Sequence, residues 1–514
     1  MPISSKRLYC WFFLLTISSF LSATEEGSAQ LQLSTGVPFQ DHAVLQQKLF
    51  LPIWGQATPG SSVTVEFSGQ IKSDIASPSG LWTVLLNPMN AIPLKNAHDI
   101  PVGKNMTIRA KKGKKSHSIN LKDIVLGEVW IGSGQSNMAG TLRTIVEKKK
   151  GPDGKSILNG HKVKTHKLDH YPADTISSAN FPALRQLVSP LPKWTVCTPE
   201  TATEFKKVCY FFSRKLLKEL RLPIGVINPA VGGSRIESWL NQAPYPAGQY
   251  YLNKVEPIVG YGIRGLLWYQ GESNSREGRQ YQPKLQSLIE GWRKVWEQPA
   301  SPFLGGPKKP FSTYFVQLPG IGISTTDLPV MGDGRAEIRQ AYFDTLSVPN
   351  TGMAIALELG DKKEHPPNKL DTGLRLAQLA LHHDYGRTDL MPSGPLYRDH
   401  QIKGSTIQIN FDHAEGGLMI AEKTAIKKPQ PKPKAKLGWI SIRAAEGKWH
   451  WADAKVNGAT LVVSHPKVKH PDAVRYAYTN RPVGPLLYNK SGLPASPFST
   501  CGYDSKEGDV KVKN

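Results

Sequence analysis

The chain has 514 residues, of which 39% are apolar and 9% aromatic, and this composition excludes a fibrous or wholly disordered protein. Its length indicates two or three domains. Lys and Arg number 64 against 41 Asp and Glu, which gives a formal net charge of +23. The lysines fall in scattered clusters without interleaved aromatic residues, so we predict no nucleic-acid partner. We interpret most of the charge as a solvated surface that attracts acidic glycans.

The N-terminus has the pattern of a targeting signal. Lys6 and Arg7 precede the apolar stretch LYCWFFLLTISSFLSA, and small residues follow at 27–29. This order is typical of a secretory signal peptide, which we assign to residues 1–29. A membrane anchor is the alternative. We therefore predict a secreted or periplasmic protein, without stable membrane insertion once the signal is removed.

The cysteines do not indicate a disulfide framework. Removal of the signal leaves Cys197, Cys209 and Cys501, an odd number for an exported protein. Cys197 and Cys209 could form a disulfide, or they could remain buried thiols. No spacing is typical of a zinc site, and we predict neither a metal nor another cofactor.

Three regions follow the signal. Residues 30–122 alternate short apolar runs with turn residues, which predicts a small all-β domain. Residues 123–390 alternate apolar strands with amphipathic helices, which predicts a parallel α/β sheet. The β pattern returns over 391–514, where the Pro/Lys-rich segment 427–436 is predicted to be an exposed loop. The segment 141–190 has no clear period and is predicted to form loops.

The predicted elements of the α/β region can be placed from apolar runs and helical spacing. Strands are predicted at 124–131, 224–228, 263–269, 314–318 and 353–359, and helices at 205–220, 281–296 and 368–383.

Polar residues follow the predicted strands, where ligands bind in open α/β sheets. Ser136 lies in GQSN after the first strand, and NPAVGGS follows the second. YQGESN follows the third strand, and GDKKEHPPNK follows the last. Taken singly, these motifs are a turn, a bend and loop anchors. Together they favour acyl transfer, because a serine nucleophile needs a histidine base, a group that orients the histidine, and preorganised donors for the oxyanion.

Four motifs carry a family resemblance: GEVWIGSGQSNM, GVINPAVGGSRIESW, LLWYQGESN and HPPNK…RLA. They resemble the successive blocks of the sialate O-acetylesterase family of SGNH hydrolases. The resemblance implies a three-layer α/β/α sandwich with a parallel sheet, flanked by N- and C-terminal β domains. It also implies a serine esterase that removes O-acetyl groups from sugars through an acetyl-enzyme.

The resemblance assigns roles to residues of this chain. Ser136 matches the nucleophile and His365 the base. Gly233 (or Gly232), Gln270 and Asn274 match the blocks that supply oxyanion donors.

The acid departs from the family pattern. The position three residues before His365 is Lys362, where SGNH enzymes carry a carboxylate. The candidates are Asp361, Glu358 and Glu364, or a backbone carbonyl in a Ser-His dyad. We select Asp361, because four residues allow the loop to fold back onto the imidazole ring.

Two other functions remain open at the level of sequence. One is an acetylxylan-type esterase that acts on another polysaccharide. The other is a non-catalytic carbohydrate-binding or surface protein, which the altered loop before His365 motivates.

Overall fold

A computed structural model describes residues 31–144, 157–158, 161–162, 171–172, 174–188, 193–297, 310–322, 334–445 and 447–503. The proposed signal peptide at residues 1–29 lies outside these ranges. Within them, no helix is both long and apolar enough to cross a membrane.

The first part of the described chain consists of strands. They are β1 (Leu33–Thr35), β2 (Val44–Gln46), β3 (Leu51–Ala57), β4 (Ser62–Phe67), β5 (Gln70–Ile75), β6 (Leu81–Leu86), β7 (Lys104–Lys112) and β8 (Lys115–Gly134). Strand β3 pairs antiparallel with β1 and β6, and β7 pairs antiparallel with β4 and β8. Side chains of β3 and β4 alternate between buried and more exposed, as expected when one face of a sheet covers a core.

Strand β8 is continuous across residues 122 and 123, where the sequence predicts a domain boundary. Asp123 has a left-handed φ of 53°. Its carboxylate lies 3.0 Å from Nη2 of Arg185 and 2.7 Å from Nδ1 of His42. Side-chain contacts from Arg185 and His42 therefore hold the residue at this position, and the domain boundaries stay predictions.

The middle of the chain adds the strands β9 (Ile157–Leu158), β10 (His161–Lys162), β11 (Phe181–Val188), β12 (Trp194–Cys197), β13 (Ile224–Asn228), β14 (Gly265–Tyr269), β15 (Ser312–Gln317) and β16 (Thr351–Ile355). The sheet order is β12-β11-β13-β8-β14-β15-β16, with β12 antiparallel and the other neighbours parallel. Every residue of β13 and β14 is buried, which explains their largely apolar sequences, with Asn228 at the end of β13 as the polar exception. The predicted mixed α/β fold with parallel strands is confirmed.

The predicted loop over 141–190 is wrong for residues 181–188, which form β11. Arg185 and Gln186 interrupt the apolar pattern of this strand, although they are only 2% and 1% exposed. Burial is possible because Arg185 donates to the carbonyl oxygens of His42 and Asp123 at 3.0 and 2.6 Å.

Five α-helices are described: α1 (Ser136–Ala139), α2 (Lys207–Leu220), α3 (Tyr281–Trp296), α4 (Arg335–Asp344) and α5 (Lys369–Tyr385). Trp130 of β8 pairs with Gly265, so it lies on the opposite face of the sheet from Trp268. Trp130 contacts Phe212 of α2 and donates to Tyr385 of α5. Trp268 contacts Trp292 of α3 at 6.2 Å between ring centroids. Helices therefore cover both faces.

The last part of the described chain again consists of strands. They are β17 (Leu396–Lys403), β18 (Thr406–Asp412), β19 (Leu418–Glu422), β20 (Gln430–Pro431), β21 (Ile440–Ala444), β22 (His450–Trp451), β23 (Asp453–Asn457), β24 (Thr460–Ser464), β25 (Pro471–Tyr476), β26 (Leu486–Asn489) and β27 (Phe498–Ser499). They form three sheets, ordered β17-β18-β24-β23, β20-β19-β26 and β22-β21-β25-β27. The Pro/Lys-rich segment 427–436 is largely exposed, but it contributes the short strand β20.

The three cysteines of the described chain are free thiols. Cys197 and Cys209 are buried, and burial raises the pKa of each thiol to about 12. Of the two possibilities left open by the sequence, the structure has buried thiols rather than a disulfide.

Candidate active site

Ser136 lies immediately beyond the C-terminal end of β8. Gly134 has a φ of 136°, and a Cβ there would clash with the Tyr269 carbonyl oxygen, so only glycine allows this turn. Gln135 is extended, and Ser136 begins the short helix α1. The serine is partly exposed at the edge of the sheet, where a substrate can reach its hydroxyl.

His365 faces this serine from another loop. Its Nε2 lies 2.8 Å from Oγ of Ser136, which is hydrogen-bonding distance. The loop follows the short helical turn Leu357–Leu359, and α5 begins after it. Asn368 caps α5 by accepting the N–H of Asp371 at 3.0 Å. The strand edge and the capped helix therefore fix both ends of the histidine loop.

The loop after β13 that contains Gly232 and Gly233, called the glycine loop below, borders Ser136. A Cβ built on Gly232 would lie 3.8 Å from Cβ of Ser136, while one built on Gly233 would meet nothing within 4 Å. Gly233 has a left-handed φ of 72°. Over the described ranges, the backbone N–H groups of Ser136 and Gly233 donate to no protein acceptor. Backbone donors are therefore available beside the serine hydroxyl.

Gln270 and Asn274 lie beneath the glycine loop and are almost fully buried, at 0% and 1% exposure. Nε2 of Gln270 donates to the Ser234 carbonyl at 3.0 Å and to Oδ1 of Asn274 at 2.8 Å. Oδ1 of Asn274 also accepts the N–H of Ile236 at 3.0 Å. These amides hold the glycine loop, and their donor groups point at protein oxygens.

Nδ2 of Asn274 donates to the carboxylates of Glu237 and Glu277, at 3.1 and 3.0 Å. Lys284 bridges the same two carboxylates from α3, with Nζ at 2.5 Å from Glu237 and 2.7 Å from Glu277. The support of the glycine loop is therefore itself fixed by an ion-pair network.

Three donor side chains hold the backbone around His365. The carbonyl oxygens of Glu364, Pro366 and Pro367 accept, respectively, from Asn137 at 3.1 Å, from Lys369 at 2.6 Å and from Tyr171. Asn137 is the residue after the serine, so it joins the two loops directly. Asn137 also donates to the buried carboxyl group of Glu272. Burial raises the pKa of Glu272.

The three candidate carboxylates have different surroundings. Glu358 forms a buried ion pair with Arg375, and these side chains are 5% and 8% exposed. Oδ1 of Asp361 accepts the N–H of Lys362 at 2.6 Å. The Glu364 side chain is 64% exposed and lies 3.9 Å from Arg335. Arg375 thus engages Glu358, and the choice of Asp361 stays a prediction.

Sequence reasoning missed Lys369 and the bridging role of Asn137. Lys369 is only 3% exposed, and burial, with the nearby Lys207, lowers its pKa to about 7. No sequence signal marks a buried lysine at the start of a helix. The role of Asn137 could have been predicted, because this residue directly follows the candidate nucleophile. In the described part of the chain, no cluster of three His, Cys, Asp or Glu side chains could hold a metal ion.

Comparison with known proteins identifies esterase relatives of this chain. Residues 126–307 match the family described as carbohydrate esterase, sialic acid-specific acetylesterase. The human sialate O-acetylesterase is 27% identical, with 87% of this chain and 88% of that protein covered. The mouse sialate O-acetylesterase is 24% identical, with coverages of 91% and 96%. A carbohydrate acetylesterase from Xanthomonas citri has a solved structure with a TM-score of 0.73 and 26% identity, covering 91% of this chain and 99% of that one.

The chain is therefore a carboxylic ester hydrolase with a parallel-stranded α/β fold. Within that class it carries a carbohydrate esterase domain of the sialic acid-specific acetylesterase family, and it is a relative of the sialate O-acetylesterases.

Proposed function

We propose that this protein is a secreted serine esterase that removes O-acetyl groups from sugars. The observation that carries the proposal is the 2.8 Å contact between Oγ of Ser136 and Nε2 of His365. A serine hydroxyl is a weak nucleophile until a base accepts its proton, and a histidine at this distance is positioned to do so.

The reaction follows from this geometry. His365 accepts the hydroxyl proton while Oγ of Ser136 attacks the acetyl carbonyl carbon. His365 then gives the proton to the departing sugar oxygen, which leaves an acetyl-enzyme. Water then attacks the acetyl carbonyl carbon while His365 accepts its proton; the bond between this carbon and Oγ of Ser136 breaks, His365 returns the proton to Oγ, and acetate leaves.

The oxyanion is assigned to the donors around Ser136. The backbone N–H groups of Ser136 and Gly233 (or Gly232) supply them, since they donate to no protein acceptor over the described ranges. Gln270 and Asn274 are assigned to the same machinery through the glycine loop that they hold. Direct contact between either amide and the oxyanion stays a prediction.

Asp361 is the proposed acid, which orients His365 and stabilises its charged form in the transition state. Glu364, a backbone carbonyl and Glu358 stay as the alternatives, and Glu358 already pairs with Arg375.

The substrate class is supported by the names of the relatives, which are sialate O-acetylesterases and a carbohydrate acetylesterase. The formal charge of +23 supports attraction to acidic sugars. An acetylated neutral polysaccharide, such as xylan, is the alternative. Secretion rests on the signal peptide proposed at residues 1–29. The strands over 33–122 and 396–499 are proposed to form the flanking β domains.

The test is release of acetate from 4-nitrophenyl acetate and from acetylated sialic acid and acetylated xylan. We expect turnover by the wild type and a loss of about 1,000-fold or more for Ser136→Ala. Ser347→Ala, which removes an exposed hydroxyl on the turn after α4, is the matched control and keeps wild-type activity. Equal, measurable rates for wild type and Ser136→Ala would overturn Ser136 as the nucleophile, and no turnover of any ester by the wild type would favour a carbohydrate-binding protein.

A further inference from the structure

Glu272 and Asn137 form a buried carboxyl–carboxamide pair beside the nucleophile. Glu272 is 7% exposed and Asn137 2%. Nδ2 of Asn137 donates to Oε1 of Glu272. The other polar atom of each group, Oε2 of Glu272 and Oδ1 of Asn137, is buried without a hydrogen-bond partner in the described structure. The two unsatisfied atoms therefore belong to the same pair.

An ionised Glu272 cannot satisfy this pair. A carboxylate and an amide carbonyl are both acceptors, so Oε2 and Oδ1 would each remain without a donor. Leaving a buried polar group unsatisfied costs about 1–3 kcal/mol, and more when the group is charged. A proton on Oε2 changes this, because the carboxylic O–H can donate to Oδ1 of Asn137. The two side chains then exchange a pair of hydrogen bonds.

The charges around Glu272 act in opposite directions, and burial is the effect that favours the neutral form. Lys369 is a nearby buried amine that lowers the pKa of Glu272, but its Nζ donates to the Pro366 carbonyl at 2.6 Å. Among the described residues, no ion pair within 4.0 Å involves Glu272. Glu364 is a like charge that raises the pKa of Glu272, in addition to the larger effect of burial. A buried carboxylate without an ion-pair partner is strongly disfavoured.

We propose that Glu272 is a neutral carboxylic acid, and that its cyclic pair with Asn137 positions His365 against Ser136. Asn137 follows Ser136 in the chain and donates to the Glu364 carbonyl, one residue before His365. Glu272 anchors the amide to the turn after β14. The pair thus joins three loops. Glu272 is a positioning residue, and its kinetic effect rests on the esterase function proposed above.

The kinetic test compares a truncation with a conservative replacement. Glu272→Ala and Asn137→Ala remove the pair, and we expect kcat to fall about 10- to 100-fold, since small displacements of reacting groups have effects of that order. KM changes less, because neither side chain is placed on the substrate. Glu272→Gln retains one acceptor and one donor in the same shape, so we expect rescue of kcat to within about threefold of wild type. Glu290→Gln, on the exposed face of α3, is the matched control for loss of a carboxyl group.

A second measurement reports the proton itself. The infrared difference spectrum of wild type minus Glu272→Gln, at neutral pH, should contain the carbonyl stretch of one protonated carboxylic acid. The spectrum of wild type minus Glu290→Gln should not. This comparison uses folded proteins and does not depend on activity.

The outcomes are separable. A kcat of Glu272→Gln as low as that of Glu272→Ala would overturn the proposal, because the ionised carboxylate would then be needed. Absence of the carboxylic acid band would overturn it independently. If Ser136→Ala retains wild-type activity, the esterase assignment fails, while the infrared band still decides the protonation of Glu272.

Discussion

Oγ of Ser136 and Nε2 of His365 lie 2.8 Å apart, although 229 positions separate the two residues in the chain. The serine follows β8 and the histidine follows β16, so the parallel sheet brings two strand ends to one edge. Asn137 adds a direct link by donating to the Glu364 carbonyl. The contact is therefore fixed by backbone architecture and by a side-chain bridge beside it.

The first prediction concerns this contact. If Ser136 and His365 act as one unit, Ser136→Ala and His365→Ala each lower kcat/KM by about 1,000-fold or more, and the double variant is no slower than either single one. The measurement is acetate release from 4-nitrophenyl acetate by all three variants. Multiplicative losses in the double variant would show that the two side chains act independently.

The second prediction separates the candidate acids. Asp361→Asn should lower kcat by up to about 10,000-fold, since an asparagine no longer holds the histidine in the required form. Its thermal stability should stay near that of wild type, because Asp361 is partly exposed. Glu358→Gln instead breaks a buried ion pair with Arg375 and should lower the free energy of unfolding by about 3–5 kcal/mol.

Urea unfolding and acetate release on the same samples check both effects, with Glu364→Gln as the third candidate and Glu290→Gln as the control at an exposed carboxylate. A stable, inactive Glu364→Gln and an active Asp361→Asn would move the acid to Glu364. If every carboxylate variant keeps full activity, a backbone carbonyl orients His365.

The sequence was sufficient where burial and residue type agree. Strands β13 and β14 are apolar on both faces, so each forms a continuous apolar run that predicts a buried strand. Helices α2, α3 and α5 carry apolar residues at helical spacing, and all three were predicted. Ser136 and His365 could be predicted as site residues because the loops after parallel strands lie together at one edge of the sheet.

The sequence was insufficient where polar residues are buried. Helix α4 lacks a clear apolar pattern because Arg339 is fully buried, where it donates to the carbonyl oxygens of Leu318 and Pro319 at 2.8 and 2.7 Å. Arg185, which donates to the Asp123 carbonyl, interrupts the apolar pattern of β11 in the same way, so this strand is not predicted from the sequence. The carbonyl oxygens that accept from these buried arginines come from distant segments of the chain, so the local sequence pattern does not reveal them. The orienting acid was ambiguous because the loop before His365 departs from the family spacing.

The third prediction tests the glycine loop. Gly233→Ala forces an L-residue to a φ of 72°, which costs about 1–2 kcal/mol, but its Cβ meets nothing within 4 Å. We expect a small loss of stability and a larger loss of kcat, about 100-fold, if the backbone N–H is displaced from the oxyanion. Gly416→Ala, which also has open space around its Cβ and no positive φ, is the control. A wild-type kcat in Gly233→Ala would show that the Gly233 N–H does not stabilise the oxyanion.

The fourth prediction concerns Asn274, which supports that loop. Asn274→Ala leaves the N–H of Ile236 without its acceptor, and it removes a donor from Glu237. The free energy of unfolding should fall by about 1–3 kcal/mol, together with kcat. Thermal unfolding and kcat are measured on one preparation. A loss of kcat at unchanged stability would instead indicate that the amide contacts the oxyanion directly.

The fifth prediction concerns the buried amine of Lys369, whose pKa burial lowers from 10.5 to about 7. Below pH 7 the amine is protonated in both the folded and the unfolded chain, so it gives stability no pH dependence there. Between about pH 7 and 10.5 the unfolded chain binds more protons. The free energy of unfolding should therefore rise with pH, by at most about 1.4 kcal/mol per unit from this group.

Lys369→Met removes the titrating group and should remove this part of the slope. Urea unfolding of wild type and variant at pH 7, 8 and 9 gives the difference, in which other titrating groups cancel. Lys362→Met, at an exposed position of the histidine loop, is the control and should retain the wild-type slope. Parallel stability curves for wild type and Lys369→Met would show that the amine of Lys369 stays protonated in the folded protein, and Glu272 would then have a charged neighbour.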